Sequence, residues 1–117
     1  MNQQTELDPT CWPAPDPEPG LDLRPVEGAA ADDELALLTK AVAHPARVRI
    51  LRLLSRKEAR VCSQIVGELP LAQSTVSEHL RILKEAGLIR SREEGSRVGY
   101  CINSPVLRRF KALVAIL

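Results

Sequence analysis

Residues 71–88 of the chain read LAQSTVSEHLRILKEAGL, and this stretch decides the fold. Apolar side chains recur at helical spacing over residues 73–86, which predicts an amphipathic helix whose apolar face carries Val76, Leu80 and Leu83. Gly87 comes directly after this pattern, at the position where a glycine commonly ends a helix. The opposite face carries short polar side chains that can donate or accept hydrogen bonds.

The residues before this helix predict a second helix and a tight connection. Apolar spacing favours a helix over residues 61–69, which Pro70 ends. Two helices joined by a short turn form a candidate helix-turn-helix, and the start of its second helix would face base edges in the major groove of DNA. The candidate DNA contacts are Gln73, Ser74, Thr75, Ser77 and His79, with Arg81 further along for phosphates.

A simpler role is open for two of these side chains. Ser74 or Thr75 could cap the helix, since hydroxyl residues are favoured at that position. Capping accounts for one of them and leaves the rest of the polar cluster unexplained. The cluster therefore favours a DNA-facing surface.

The remaining chain predicts further helices and one hairpin. Asp32 and Asp33 suit the start of a first helix, His44 ends it, and Pro45 fits the first turn of the next. A closing helix is predicted over residues 105–117.

Two short strands are predicted over residues 88–92 and 98–102, joined by a turn that contains Gly95. Arg97 at this turn would reach an adjacent groove or the DNA backbone, and the alternative is a solvated turn charge. The predicted fold class is mainly α with a small β-hairpin: a winged helix-turn-helix of about five helices plus the wing.

Charge and proline content divide the 117 residues into an arm and a domain. Residues 1–33 carry eight acidic side chains and one arginine, whereas residues 34–117 carry 15 basic and seven acidic side chains. Residues 1–30 hold six of the nine prolines and predict an extended acidic arm, for which disorder is the alternative. Cys11-Trp12 suggests that this arm docks on the domain formed by residues 31–117, whose basic charge suits a polyanionic partner.

The three cysteines, Cys11, Cys62 and Cys101, are an odd number without the spacing of a disulfide framework. The sequence shows neither a signal peptide nor a membrane-spanning segment, so we expect a cytoplasmic protein without membrane partners. Thiols are kept reduced in that compartment, and structural disulfides are not expected. A ligand-binding or redox role for the cysteines is open.

Residues 32–110 resemble the ArsR/SmtB family of winged helix-turn-helix metalloregulators, which includes arsenic-responsive repressors. The segments that carry the resemblance are AHPARVRIL at 43–51, QSTVSEHL at 73–80, LKEAGLI at 83–89 and GSRVGY at 95–100. The resemblance implies a homodimeric repressor that binds a palindromic operator in double-stranded DNA and leaves it when an inducer binds. It also implies that the first and last helices form the dimer.

The family resemblance points to trivalent arsenic as the inducer, and no cofactor is required. The family's typical site is a Cys-Val-Cys pair before the recognition helix, and here the matching residues are Arg60, Val61 and Cys62, so one thiol is missing. Soft thiolates suit arsenic, and three would complete a pyramidal site. Cys11 could reach Cys62 of its own or the partner subunit, and Cys101 is a further candidate; simple burial is the alternative for Cys62 and Cys101.

Other sensing chemistries and functions compete with this reading. Related zinc sensors place ligands on the last helix, which here offers only the basic residues Arg108, Arg109 and Lys111. The cysteines could instead sense an oxidant or sulfide on the same fold. A winged helix that binds only proteins is a third possibility, which the polar cluster and Arg97 disfavour. An enzyme is not expected, because no catalytic constellation is present.

Overall fold

The computed structural model describes residues 22–56 and 60–117, and these residues form a winged helix-turn-helix. The described part contains five helices and a small antiparallel sheet, which confirms the predicted fold class. None of its helices has the length and apolar character needed to cross a membrane. In chain order the elements are α1 (Ala29–Val42), α2 (Pro45–Leu54), β1 (Arg60–Val61), α3 (Cys62–Val66), α4 (Gln73–Glu85), β2 (Ile89–Glu94), β3 (Arg97–Ile102) and α5 (Ser104–Ala115).

The core forms around the apolar face of α4. Val76, Leu80 and Leu83 are fully buried, as the sequence pattern predicted. They belong to one core cluster with fully buried residues of α2 and α3, namely Ile50, Leu54 and Ile65. Burying a large aliphatic side chain contributes about 1.5–3 kcal/mol, so this face fixes how α4 is rotated.

The sheet has the strand order β1-β3-β2, and both pairings are antiparallel. The predicted hairpin is confirmed, with Glu94 opposite Arg97 and a two-residue turn in which Gly95 has a φ of +64°. The sequence missed β1, which pairs Arg60 with Tyr100 and Val61 with Gly99. Because β1 leads directly into α3, this pairing holds the start of α3 beside the wing.

Gly87 ends α4, as predicted. Its φ of +87° is left-handed, and its N–H donates to the carbonyl of Lys84 at 2.9 Å. The N–H of Leu88 donates to the carbonyl of Leu83 at 3.1 Å, which completes a Schellman motif. The motif satisfies two carbonyls at the helix end and turns the chain into β2.

α1 begins one turn earlier than the sequence suggested. Asp32 does lie in the first turn of α1, as expected, but the helix begins at Ala29, and the N–H of Asp32 donates to the carbonyl of Gly28 at 2.9 Å. Gly28 is the N-cap, and no side chain caps this end. The division of the chain after residue 30 stays a prediction, and Cys11-Trp12 lies outside the described residues.

Arg109 of α5 forms hydrogen bonds that hold the residues before α1 against the domain. Its side chain is only 4% exposed, and its Nη2 lies 3.0 Å from Oε1 of Glu34 in α1. The same guanidinium donates to the backbone carbonyls of Arg24 and Pro25, at 3.1 and 2.6 Å. The hydrogen bonds from Arg109 hold the pKa of the Glu34 carboxyl below its usual value. Arg109 and the half-buried Glu34 therefore join α1, α5 and the segment that precedes them.

We predict that Gly87→Ala lowers the free energy of unfolding by about 1 kcal/mol, because a Cβ is strained at positive φ. A Cβ at this position would meet no other atom within 4 Å, so the loss comes from backbone strain alone. Denaturation by urea measures this change in the free energy of unfolding. Gly67→Ala is the control, since its Cβ would make only ordinary contacts. Equal stabilities of the two variants would contradict the assigned role of Gly87.

Candidate DNA-binding surface and thiol site

The polar cluster predicted at the start of α4 forms a continuous exposed surface. Gln73, Ser74, Thr75 and Ser77 are all exposed in the first turns of the helix. The N-cap of α4 is Ala72, and no side chain forms a capping hydrogen bond there. Neither Ser74 nor Thr75 is therefore occupied as the cap, which leaves their hydroxyls available to a partner.

His79 does not belong to this surface, and its prediction as a DNA contact is wrong. The residue is only 8% exposed, and its ring faces the ring of His44 with 4.4 Å between the centroids. Position 79 comes three residues after Val76 and four before Leu83, so it lies on the buried face of α4. The spacing alone indicates that position 79 is buried, although histidine is a polar residue.

Arg81 is exposed on α4 but has partners on its own helix. Its Nε donates to Glu78 at 3.0 Å, and its Nη1 donates to Glu85 at 2.7 Å. The hydrogen bond from Arg81 holds the pKa of the Glu78 carboxyl below its usual value. Exposed pairs of this kind are weak and screened by salt, so a DNA phosphate can compete for the guanidinium. The predicted phosphate contact stays a prediction.

The wing and α4 enclose a cleft that brings several predicted residues together. The cleft has a volume of about 330 Å³ and opens to solvent between α3, α4 and the hairpin. Gln73 and Ser77 line it from α4, and Arg97 lines it from the start of β3. The side chains that line this cleft are Cys62, Ser63, Gln73, Ser77, Ser96, Arg97, Val98 and Tyr100.

Cys62 places a free, half-buried thiol in this cleft. Its Sγ lies 3.6 Å from Oγ of Ser77, within hydrogen-bonding distance for sulfur. Burial raises the pKa of Tyr100, and the nearby Cys62 raises it further. Sequence reasoning identified Cys62 but did not foresee that its sulfur would contact a side chain of the exposed α4 surface.

The other cysteines do not join Cys62 in the described part of the structure. Cys101 lies in β3, is 1% exposed and is disulfide-bonded. The expectation that no cysteine forms a disulfide is wrong for Cys101, because an odd number of cysteines still permits one pair. Its sulfur is not a thiolate ligand in this state, and Cys11 lies outside the described residues. Residues 22–56 and 60–117 contain no group of three or more His, Cys, Asp or Glu side chains that could hold a metal ion.

The far side of the domain exposes large apolar side chains. Leu37 of α1 is 60% exposed, and Val114 of α5 is 44% exposed. Ile116 and Leu117, which follow α5, are 46% and 89% exposed. α1 and α5 contact each other, so these residues lie on neighbouring elements. Such a surface is suited to pairing with a second copy of the chain.

The fold and this surface define the class of winged helix-turn-helix DNA-binding regulators. Residues 44–91 match the family model described as "Bacterial regulatory protein, arsR family". The chain is 39% identical over 80 residues to the transcriptional repressor PagR of Bacillus anthracis, covering 68% of this chain and 79% of PagR. The chain therefore belongs to the ArsR family, whose members are transcriptional regulators and not enzymes.

Solved structures agree with this assignment. The homodimeric winged helix-turn-helix DNA-binding domain Mb0332 of Mycobacterium bovis is 33% identical, with a TM-score of 0.62 over 74% of this chain and 81% of that one. A protein described as a "possible transcriptional regulator for arsenical resistance" is 30% identical, also with a TM-score of 0.62, over 68% of this chain and 80% of its own.

We predict that Arg97→Gln weakens DNA binding and lowers the slope of log affinity against log salt concentration by about one per subunit, because one phosphate contact is lost. Fluorescence anisotropy with labelled duplex DNA at several salt concentrations measures both quantities. Arg108→Gln removes the same charge from an exposed position on α5 and is the matched control. An unchanged slope for Arg97→Gln would show that the wing makes no backbone contact.

Proposed function

We propose that the protein is a homodimeric transcriptional repressor that binds a palindromic operator and leaves it when a thiophilic ligand, trivalent arsenic first, binds the Cys62 thiolate. The observation that carries this proposal is the 3.6 Å contact between Sγ of Cys62 and Oγ of Ser77. Ser77 belongs to the exposed surface of α4, so chemistry at the sulfur acts directly on a candidate DNA contact.

Two-fold symmetry supports the palindromic operator. One copy of α4 presents only four exposed polar side chains at its start, which are too few contacts for a strong preference among DNA sequences. A dimer doubles these contacts and places two α4 helices on half-sites one helical turn apart. The exposed apolar residues of α1 and α5 supply a surface for the dimer, and the similar Mb0332 domain is homodimeric. A repressor of chromosomal operators acts in the cytoplasm.

The number of available cysteine sulfurs determines how arsenic would be coordinated. Arsenic in its trivalent state prefers thiolates, and three of them make a pyramidal site. The described residues offer one free thiol, that of Cys62, so further sulfurs must come from Cys11 of either subunit or from Cys101 after reduction. The likeness to a possible regulator for arsenical resistance supports this inducer over zinc or cadmium.

Thiol redox chemistry is the second candidate, and the disulfide of Cys101 favours it. A chain that holds one disulfide and one free thiol carries both partners of thiol–disulfide exchange. A small disulfide such as oxidised glutathione would react with the Cys62 thiolate, forming a mixed disulfide and releasing one thiolate. The added group would fill the cleft beside Ser77 and separate α4 from DNA.

The decisive experiment titrates reduced protein, bound to a duplex selected for binding, with arsenite. We expect DNA release, followed by fluorescence anisotropy, in the unmodified protein. Cys62→Ser keeps a hydrogen-bonding group beside Ser77 and should bind DNA normally without responding to arsenite. Cys11→Ser should respond weakly for lack of a second thiolate, whereas Cys101→Ser should respond like the unmodified protein.

The outcomes separate the two candidates. Release by arsenite that needs Cys62 and Cys11 supports the arsenic site. Release only by oxidised glutathione, lost in Cys62→Ser and reversed by dithiothreitol, supports the redox candidate and excludes arsenic. Normal arsenite release from Cys62→Ser would refute the thiol site, and the absence of salt-dependent DNA binding would refute the repressor.

A further inference from the structure

Two histidine rings form the contact between the start of α2 and the buried face of α4. The ring centroids of His44 and His79 lie 4.4 Å apart, with an angle of 47° between the ring planes. His44 precedes α2, and His79 lies in the middle of α4 between buried aliphatic residues. Neither ring has a part in the thiol chemistry or in the exposed polar surface.

His44 holds the start of α2 through one of its ring nitrogens. His44 is the N-cap of α2, and its Nδ1 accepts a hydrogen bond from the backbone N–H of Ala46 at 3.0 Å. An Nδ1 that accepts carries a lone pair and no proton, so the proton of the neutral ring is on Nε2.

The environment of His79 disfavours the charged form of its ring. Its side chain is more than nine-tenths buried, and its Nδ1 has no hydrogen-bond partner. Burial lowers the pKa of His79 below that of an ordinary histidine, and the neighbouring His44 and Arg47 lower it further. A proton on the ring would therefore bring a charge, and with it an unpaired N–H, into the core.

The charged side chains around His79 are held by other partners, so they cannot easily rearrange to stabilise a protonated His79 ring beside Arg47. Arg47 of α2 faces His79 and is held in place, since its Nη1 donates to the carbonyl of Ala41 at 2.8 Å. Glu78 is the acidic group that favours a charged His79, but its carboxylate already accepts hydrogen bonds from Arg81. Together, the charged groups that face His79 therefore disfavour its protonation.

We propose that the His44–His79 contact is an acid-sensitive latch: proton uptake by the buried His79 ring separates α2 from α4 and lowers affinity for DNA. The inference rests on the proposed DNA binding, because the latch acts through the position of α4. Its exposed surface and His79 lie on one rigid helix, so a displacement of the buried side moves Gln73 and Ser77 as well.

The direction in which DNA affinity changes on acidification distinguishes the latch from the general effect of net charge. Acidification makes any protein more positive, which by itself strengthens binding to phosphates. The latch predicts the reverse below about pH 6.5, the pKa of an unperturbed histidine. A group whose pKa is lower in the folded state than in the unfolded state contributes stability above its unfolded-state pKa. This stability is lost as the pH falls through the folded-state pKa. DNA affinity and stability should therefore decline together.

The test measures affinity for a selected duplex by fluorescence anisotropy at pH 7.5 and pH 5.5 with constant ionic strength. For the unmodified protein we expect affinity about tenfold weaker at the lower pH, which is within the usual range for coupling between two sites. His44→Asn is the matched variant, because asparagine caps a helix well and removes the ring that faces His79. His79→Leu places an aliphatic side chain on the buried face. Both variants should bind at pH 7.5 and lose most of the decline.

A measurement without DNA separates failure of the latch from failure of the proposed function. Amide hydrogen exchange of α4 and the ring proton resonances of both histidines report on the latch directly. Faster exchange in α4 at pH 5.5, suppressed in His44→Asn, supports the latch even if no DNA binds. Affinity that rises on acidification, or declines equally in all three proteins, overturns it, as does exchange that is independent of pH.

Discussion

Burial of one face of α4 is the constraint on which the rest of the structure depends. Three aliphatic side chains on this face, Val76, Leu80 and Leu83, are fully buried, and exposing any one of them would cost about 1.5–3 kcal/mol. The rotation of the helix about its axis is therefore fixed. Everything else on α4 follows from that rotation: the exposed polar surface at its start, and the buried histidine that faces α2.

The cleft beside α4 shows how a chemical signal can enter such a rigid arrangement. The pairing of β1 with β3 sets the start of α3 against the wing, and this brings the Cys62 thiol to Ser77. A ligand on that sulfur needs no long path through the protein to disturb DNA contacts. The ion pair between the buried Arg109 and the half-buried Glu34 meanwhile fixes α1 to α5, the helices with exposed apolar residues.

The sequence predicted the fold class, α4, the hairpin and the exposed polar cluster, because each depends on a strong local pattern. It failed where a polar residue occupies an apolar position. His79 follows Val76 by three residues and Arg109 precedes Leu113 by four, so both lie on a buried face. β1 is two residues long and shows no alternation, and the disulfide of Cys101 depends on spatial proximity that spacing cannot reveal.

Selection of binding sites from a pool of random duplexes tests most directly the claim that a dimer contacts DNA through the exposed surface of α4. The account predicts enrichment of a two-fold symmetric sequence with half-sites about 10–10.5 base pairs apart, centre to centre. It also predicts that Gln73→Ala changes the preferred base within each half-site, since a glutamine contact to adenine is lost. Recovery of no preferred sequence, or of the same sequence with Gln73→Ala, would contradict it.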